Sequence, residues 1–156
     1  MNGASGTRHE WARPGSIALV FAGGCIGAAA RETLSAVTPT AAVPFAILVA
    51  NLLGALLLGA VLEALGRRST RQASARSLAS AARLRLLLGT GALGGFTTYS
   101  ALAFAVAALL HDGRPWLALG YGLGTLVLGA AATATGIAIS ARLHAHRRSA
   151  ERGADA

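Results

Sequence analysis

The chain has 156 residues, of which 54% are hydrophobic, 20 are glycine and only 13% are charged, and its mean hydropathy is positive at +0.56. A soluble domain carries about twice that charged fraction, so the composition argues against a soluble enzyme, a disordered chain and a fibrous repeat. The net charge of +8 comes entirely from arginine. Those arginines lie outside the apolar stretches with no aromatic platform beside them, which does not fit nucleic-acid binding.

A helix that crosses a bilayer needs about 20 mostly apolar residues. Four runs qualify, near residues 15–37, 44–65, 86–110 and 116–141, between a tail of residues 1–14 and a basic tail of residues 142–156. None has the polar face of a helix at a protein surface. The expectation is an all-α membrane protein with four transmembrane helices, in contact with lipid. A short alternative exists for the first run. Arg8 and Arg13 give it a basic start, and Ala28-Ala29-Ala30 resembles a signal-peptide cleavage site.

In the first span Gly23 and Gly27 form a small-xxx-small face suited to close helix contact. Cys25, the single cysteine, is expected to be a buried inert thiol. Arg31 follows one turn after Gly27. It either snorkels to the interface or binds a backbone carbonyl or an anion in a vestibule. Pro39 and Pro44 flank the first turn, and Pro44 suits a helix start. Asn51 lies inside the second span, where an amide is costly without a partner. An interhelical hydrogen bond and a pore-lining donor both answer that need. Glu63 stands near Arg67 at the span's end, as an interfacial ion pair would.

The link at residues 66–85 is rich in Arg and Ser. The third span then reads Gly89-Thr90-Gly91-Ala92-Leu93-Gly94-Gly95-Phe96-Thr97-Thr98-Tyr99-Ser100. Glycine costs about 1 kcal/mol against alanine inside a helix, and β-branched residues also rank low. The sequence therefore suggests a break at mid-membrane. Freed carbonyls survive in a membrane only where they line a cavity or bind an ion. After the turn at residues 111–115, Trp116 takes an interfacial position. Tyr121, Thr125, Gly129 and Thr133 follow at four-residue spacing on one face of the fourth span. Their hydroxyls can pass an anion along or bond their own i−4 carbonyls. The tail from Arg142 is polar and expected to fray.

Four histidines, His9, His111, His144 and His146, all fall in tails or a turn. No carboxylate pair, nucleophile elbow or phosphate loop occurs within the spans, so the chain reads as no enzyme. The two tails and the 66–85 link hold twelve arginines on one side, against Arg31 and Arg114 on the other. That bias places both termini in the cytoplasm of a cell-membrane protein.

These residues resemble the CrcB/Fluc fluoride channel family over roughly residues 17–140. The resemblance rests on Gly23-Gly24-x-x-Gly27-x-x-x-Arg31, on Ala50-Asn51-Leu52-Leu53-Gly54-Ala55, and on Gly91-x-x-Gly94-Gly95-Phe96-Thr97-Thr98-Tyr99-Ser100. It implies an antiparallel dimer of four-helix subunits through which fluoride leaves the cell passively. It also implies a structural Na⁺ on the dyad, held by the Gly94 and Thr97 carbonyls. By the same resemblance Asn51, Tyr99, Ser100, Tyr121 and Thr125 lie along the ion pathway, and Arg31 in a vestibule. Where the family has Phe-Ser-Thr-Phe, this chain has Tyr99-Ser100-Ala101-Leu102, so one of two ring edges is missing. A subunit with this arginine bias inserts one way only. The two departures together favour a heterodimer with an inverted homologue and one good pore, a homodimer being the alternative. The competing functions are a non-conducting structural subunit and a small proton-coupled multidrug exporter.

Overall fold

The computed structural model describes residues 14–38, 44–71 and 74–154. The expected N-terminal tail falls outside the described residues. Six α-helices and one π-wound segment follow in order. They are α1 (Pro14–Val37), α2 (Phe45–Arg71), α3 (Ala75–Leu84), the π segment (Arg85–Leu93), α4 (Gly94–Phe96), α5 (Tyr99–His111) and α6 (Pro115–Ala154). No strand occurs among the described residues. Four helical stretches, Pro14–Val37, Phe45–Arg67, Arg76–His111 and Pro115–His146, are long and apolar enough to cross a membrane. The protein is therefore an all-helical, multi-pass membrane protein.

Local chemistry sets the helix ends. Proline opens α1 and α6, where its missing N–H costs nothing, and the Pro44 carbonyl receives the first amides of α2 from Ile47 and Leu48. Ser74 caps α3, its Oγ accepting the Ser77 N–H at 3.3 Å. α5 ends in a left-handed Gly113 at φ 71°, with the Arg114 N–H returning to the Leu109 carbonyl at 2.9 Å. That closure needs a residue without a Cβ penalty at positive φ. The expected fraying after Ala141 does not occur: α6 runs on to Ala154. Ala, Arg and Leu are strong helix formers, and no glycine or proline interrupts them before Gly153.

Packing is by glycine against backbone. A Cβ on Gly23 would strike the Leu87 carbonyl, and one on Gly27 the Ala92 carbonyl, so α1 lies directly on the π segment. Gly59 and Gly136 do the same for α2 and α6, against Thr133 and Leu56. With lipid outside, no hydrophobic force drives helices together, and close backbone approach supplies dispersion contact instead. The buried core is accordingly small, comprising Leu102, Ala105, Leu109, Ala118 and Tyr121 between α5 and α6. Large apolar side chains such as Phe21, Phe104, Trp116 and Val127 face outward. Cys25 is exposed on α1 rather than buried, because the inward-facing glycines, Gly23 and Gly27, lie two residues either side of it, half a turn away, which puts Cys25 on the opposite face.

Candidate functional site around Thr97 and Thr98

The third span is one continuous helix from α3 through the π segment to Phe96, and then it stops. Thr97 (φ −79°, ψ 154°) and Thr98 (φ −148°, ψ 117°) are extended, and helical winding resumes at Tyr99. The run before the break is under-wound over nine residues. The Gly94 N–H there reaches both the Gly89 and the Gly91 carbonyls. A π stretch of this kind is rare and tends to accompany functional positions. Glycine content had suggested the poor helix, but nothing in the sequence marks where the winding loosens.

α1 and α2 hold this segment from two sides. From α2, Asn51 Oδ1 accepts the Thr98 N–H at 2.8 Å, and Asn51 Nδ2 donates to the Thr98 carbonyl at 3.2 Å. One turn further along α2, Gly54 leaves room for the Thr97 methyl group, which a Cβ there would strike. From α1, Arg31 Nη1 donates to the Gly95 carbonyl at 3.4 Å and its Nη2 pairs with Glu32 at 3.0 Å. Gly24 packs on Gly95, where a Cβ would sit 3.0 Å from the Gly24 Cα. Thr97 itself returns to Leu93, its N–H at 3.0 Å and its hydroxyl at 2.9 Å. Thr98 Oγ1 caps α5 by accepting the Ala101 N–H at 3.2 Å, and lies 3.3 Å from Ser100 Oγ.

The remaining side is open. Gly94, Tyr99 and Ser100 are exposed, Tyr99 to 79%. A Cβ on Gly94 would find nothing nearer than the Gly89 carbonyl at 3.9 Å. Asn51, Gly94, Thr97, Tyr99 and Ser100 are thus brought to one place. Two of the partners were legible: Asn51 as an amide in need of a bond, Arg31 as a binder of a carbonyl. Gly54 and Thr98 are the partners that sequence reasoning misses. Their signal was spacing, Gly54 three residues after Asn51 on one helix face, and Thr98 three before an amide needing a cap.

Tyr121 and Thr125 lie elsewhere, buried on α6. Their hydroxyl hydrogens are committed, Tyr121 to the Pro44 carbonyl at 3.2 Å and Thr125 to the Tyr121 carbonyl at 2.7 Å. Thr133 likewise bonds the Gly129 carbonyl at 3.0 Å. Thr125 and Thr133 thus bond back to their own helix, whereas Tyr121 reaches across to the residue before α2. Leu102 is also buried, packed among Ala105, Leu109, Ala118 and Tyr121. Glu63 is ion-paired with Arg67. Gly23 and Gly27 serve the α1 contact described above.

A sequence model of the CrcB-like (Camphor Resistance, CrcB) protein family matches residues 18–137. The chain belongs to the CrcB family. A protein of Leifsonia xyli subsp. xyli named fluoride-specific ion channel FluC 2 is 42% identical over 133 residues, covering 85% of this chain and 88% of the relative. Fluoride-specific ion channel FluC 1 of Cutibacterium acnes is 38% identical over 124 residues, covering 78% and 80%. A protein of the same name from Halobacterium salinarum is 38% identical over 109 residues, covering 70% and 80%. These CrcB relatives are named as channels, not as enzymes. The family match begins four residues after the start of α1 and ends inside α6, so it spans all four membrane helices and the break.

Proposed function

We propose that this chain is a subunit of a fluoride channel through which cytosolic fluoride leaves the cell passively, down its electrochemical gradient. The observation that carries this reading is the break at Thr97–Thr98, with Tyr99 exposed beside it, in a chain whose relatives are named fluoride-specific channels. A ring edge carries partial positive charge without a strong hydrogen-bond donor. It can hold a small anion weakly enough to release it, as conduction requires. Ser100 adds a hydroxyl, and Asn51 keeps a second Nδ2 hydrogen beyond the one given to Thr98.

The same break supports a structural Na⁺. In an unbroken helix the Gly94 and Thr97 carbonyls would receive the amides of Thr98 and Ala101. Both amides go elsewhere. Backbone carbonyls are hard oxygen donors suited to an alkali cation, and Gly94 is exposed on the open side. The residues present therefore fit the ion. Two carbonyls from each of two subunits would surround it at a dimer axis, where it would neutralise the converging oxygens and fix the subunits together.

The partner we propose is an inverted homologue. Twelve arginines against two favour one orientation only, with both termini in the cytoplasm of the cell membrane. Thiol labelling of single cysteines at positions 68 and 114, in a Cys25→Ala background, should report opposite sides; equal labelling from both would remove the heterodimer. A non-conducting role draws on Leu102, which is buried and offers no ring edge. The multidrug exporter lacks support, since Glu63 is held by Arg67. Expression with the inverted homologue, in bacteria lacking their own fluoride export, should restore growth on fluoride. Failure to restore it with both subunits in the membrane would favour the non-conducting role.

A further inference from the structure

A helix broken at two residues must find partners for the amides and carbonyls it releases. Carbonyls at three positions around this break have identifiable donors. Leu93 receives the Thr97 N–H, Gly95 receives Arg31, and Thr98 receives Asn51 Nδ2. The Gly94 and Thr97 carbonyls lose theirs for a specific reason. Asn51 Oδ1 takes the Thr98 N–H at 2.8 Å, and Thr98 Oγ1 takes the Ala101 N–H at 3.2 Å. Each diversion is made by a side-chain oxygen, and each relieves one carbonyl.

We infer that Asn51 and Thr98 are the positioning residues of the cation site, keeping the Gly94 and Thr97 carbonyls available by occupying the two amides that would otherwise close them. The inference rests on the sodium site proposed above. Asn51 is fixed in this role because its amide bonds Thr98 at both ends, so a flipped side chain would lose both bonds at once. Gly54, on the same face of α2, seats the Thr97 methyl, and α2 thereby sets both extended residues. Neither Asn51 nor Thr98 is itself a ligand in this account. Removing either oxygen returns an amide to its i−4 carbonyl and takes that carbonyl away from the ion.

The test is the sodium dependence of thermal unfolding. Full-length protein, purified with any subunit that copurifies, is melted in sodium chloride and in N-methylglucamine chloride at equal ionic strength. The unaltered protein should melt higher in sodium. Asn51→Leu and Thr98→Val should lose most of that sodium-dependent difference, while Thr98→Ser, which retains the capping oxygen, should keep it. A purely structural role would lower both midpoints together and leave the difference intact, which would overturn the inference. Should Asn51→Leu fail to fold, the contrast between Thr98→Val and Thr98→Ser decides alone. If the unaltered protein shows no sodium effect, the sodium site itself falls and the inference with it. That outcome is distinct from a sodium effect preserved in every variant, which contradicts the inference only.

Discussion

The two halves of the third span are made from one stretch of chain and behave as opposites. Before the break, the π segment and α4 lie backbone to backbone on α1, with Gly23, Gly27, Gly91 and Gly95 admitting the contact. After it, α5 leaves α1 and packs on α6 through Leu102, Ala105 and Leu109, while Tyr99 and Phe104 point outward. The first half has no slack where it faces α1, and the second presents side chains. The junction is where the span changes partners, and it is also where carbonyls are released. A break here therefore splits the bundle between α1 and α6 and creates polar chemistry in the same step.

The comparison breaks most readily in the first half. Gly27→Val would drive side-chain atoms into the Ala92 carbonyl, and backbone on both sides leaves nothing to give. The cost should reach or exceed the about 1–3 kcal/mol typical of overpacking, seen as loss of folded protein after detergent extraction. Gly94→Ala, three residues from Gly91 but on the open side, should extract normally. Equal damage from the two would erase the distinction between closed and open faces.

In the second half, Leu102→Ala should cost about 2–5 kcal/mol of stability, as for other buried leucines, and leave flux per folded subunit nearly unchanged. Tyr99→Ala should do the reverse. Its stability should move by less than about 0.5 kcal/mol, while fluoride flux falls at least about tenfold, equivalent to about 1.4 kcal/mol. Tyr99→Phe should be tolerated. Parallel melting and liposome flux on the three variants would expose an exchange of these roles. The smallest effect is expected on α6. The Thr125 hydroxyl already bonds the Tyr121 carbonyl, so Thr125→Val should change flux by no more than about twofold, well under 1 kcal/mol. A larger loss would restore that hydroxyl to the ion path.

Much of this could be read without coordinates. Apolar runs announce membrane helices because lipid admits little else, and Gly94-Gly95 followed by Thr97-Thr98 announces a weak point. Asn51 declared a need for a partner, but not that the partner is the Thr98 backbone. That pairing depends on how two helices meet, which composition along one of them does not encode. Leu102 shows the same limit. Its missing ring was legible, whereas its burial against α6 follows from the direction α5 takes after the break. The persistence of α6 beyond Arg142 reflects helix propensity prevailing over polarity, a balance the charge count concealed.

The central claim is that the chain forms part of a passive path selective for fluoride. Liposomes reconstituted with the subunit and its inverted homologue, loaded with equal fluoride and chloride and diluted into a medium free of both, test it most directly. With valinomycin and potassium to relieve the membrane potential, and no pH gradient imposed, fluoride should leave promptly while chloride stays inside. Release of both anions together, or fluoride release only when a pH gradient is applied, would contradict the account.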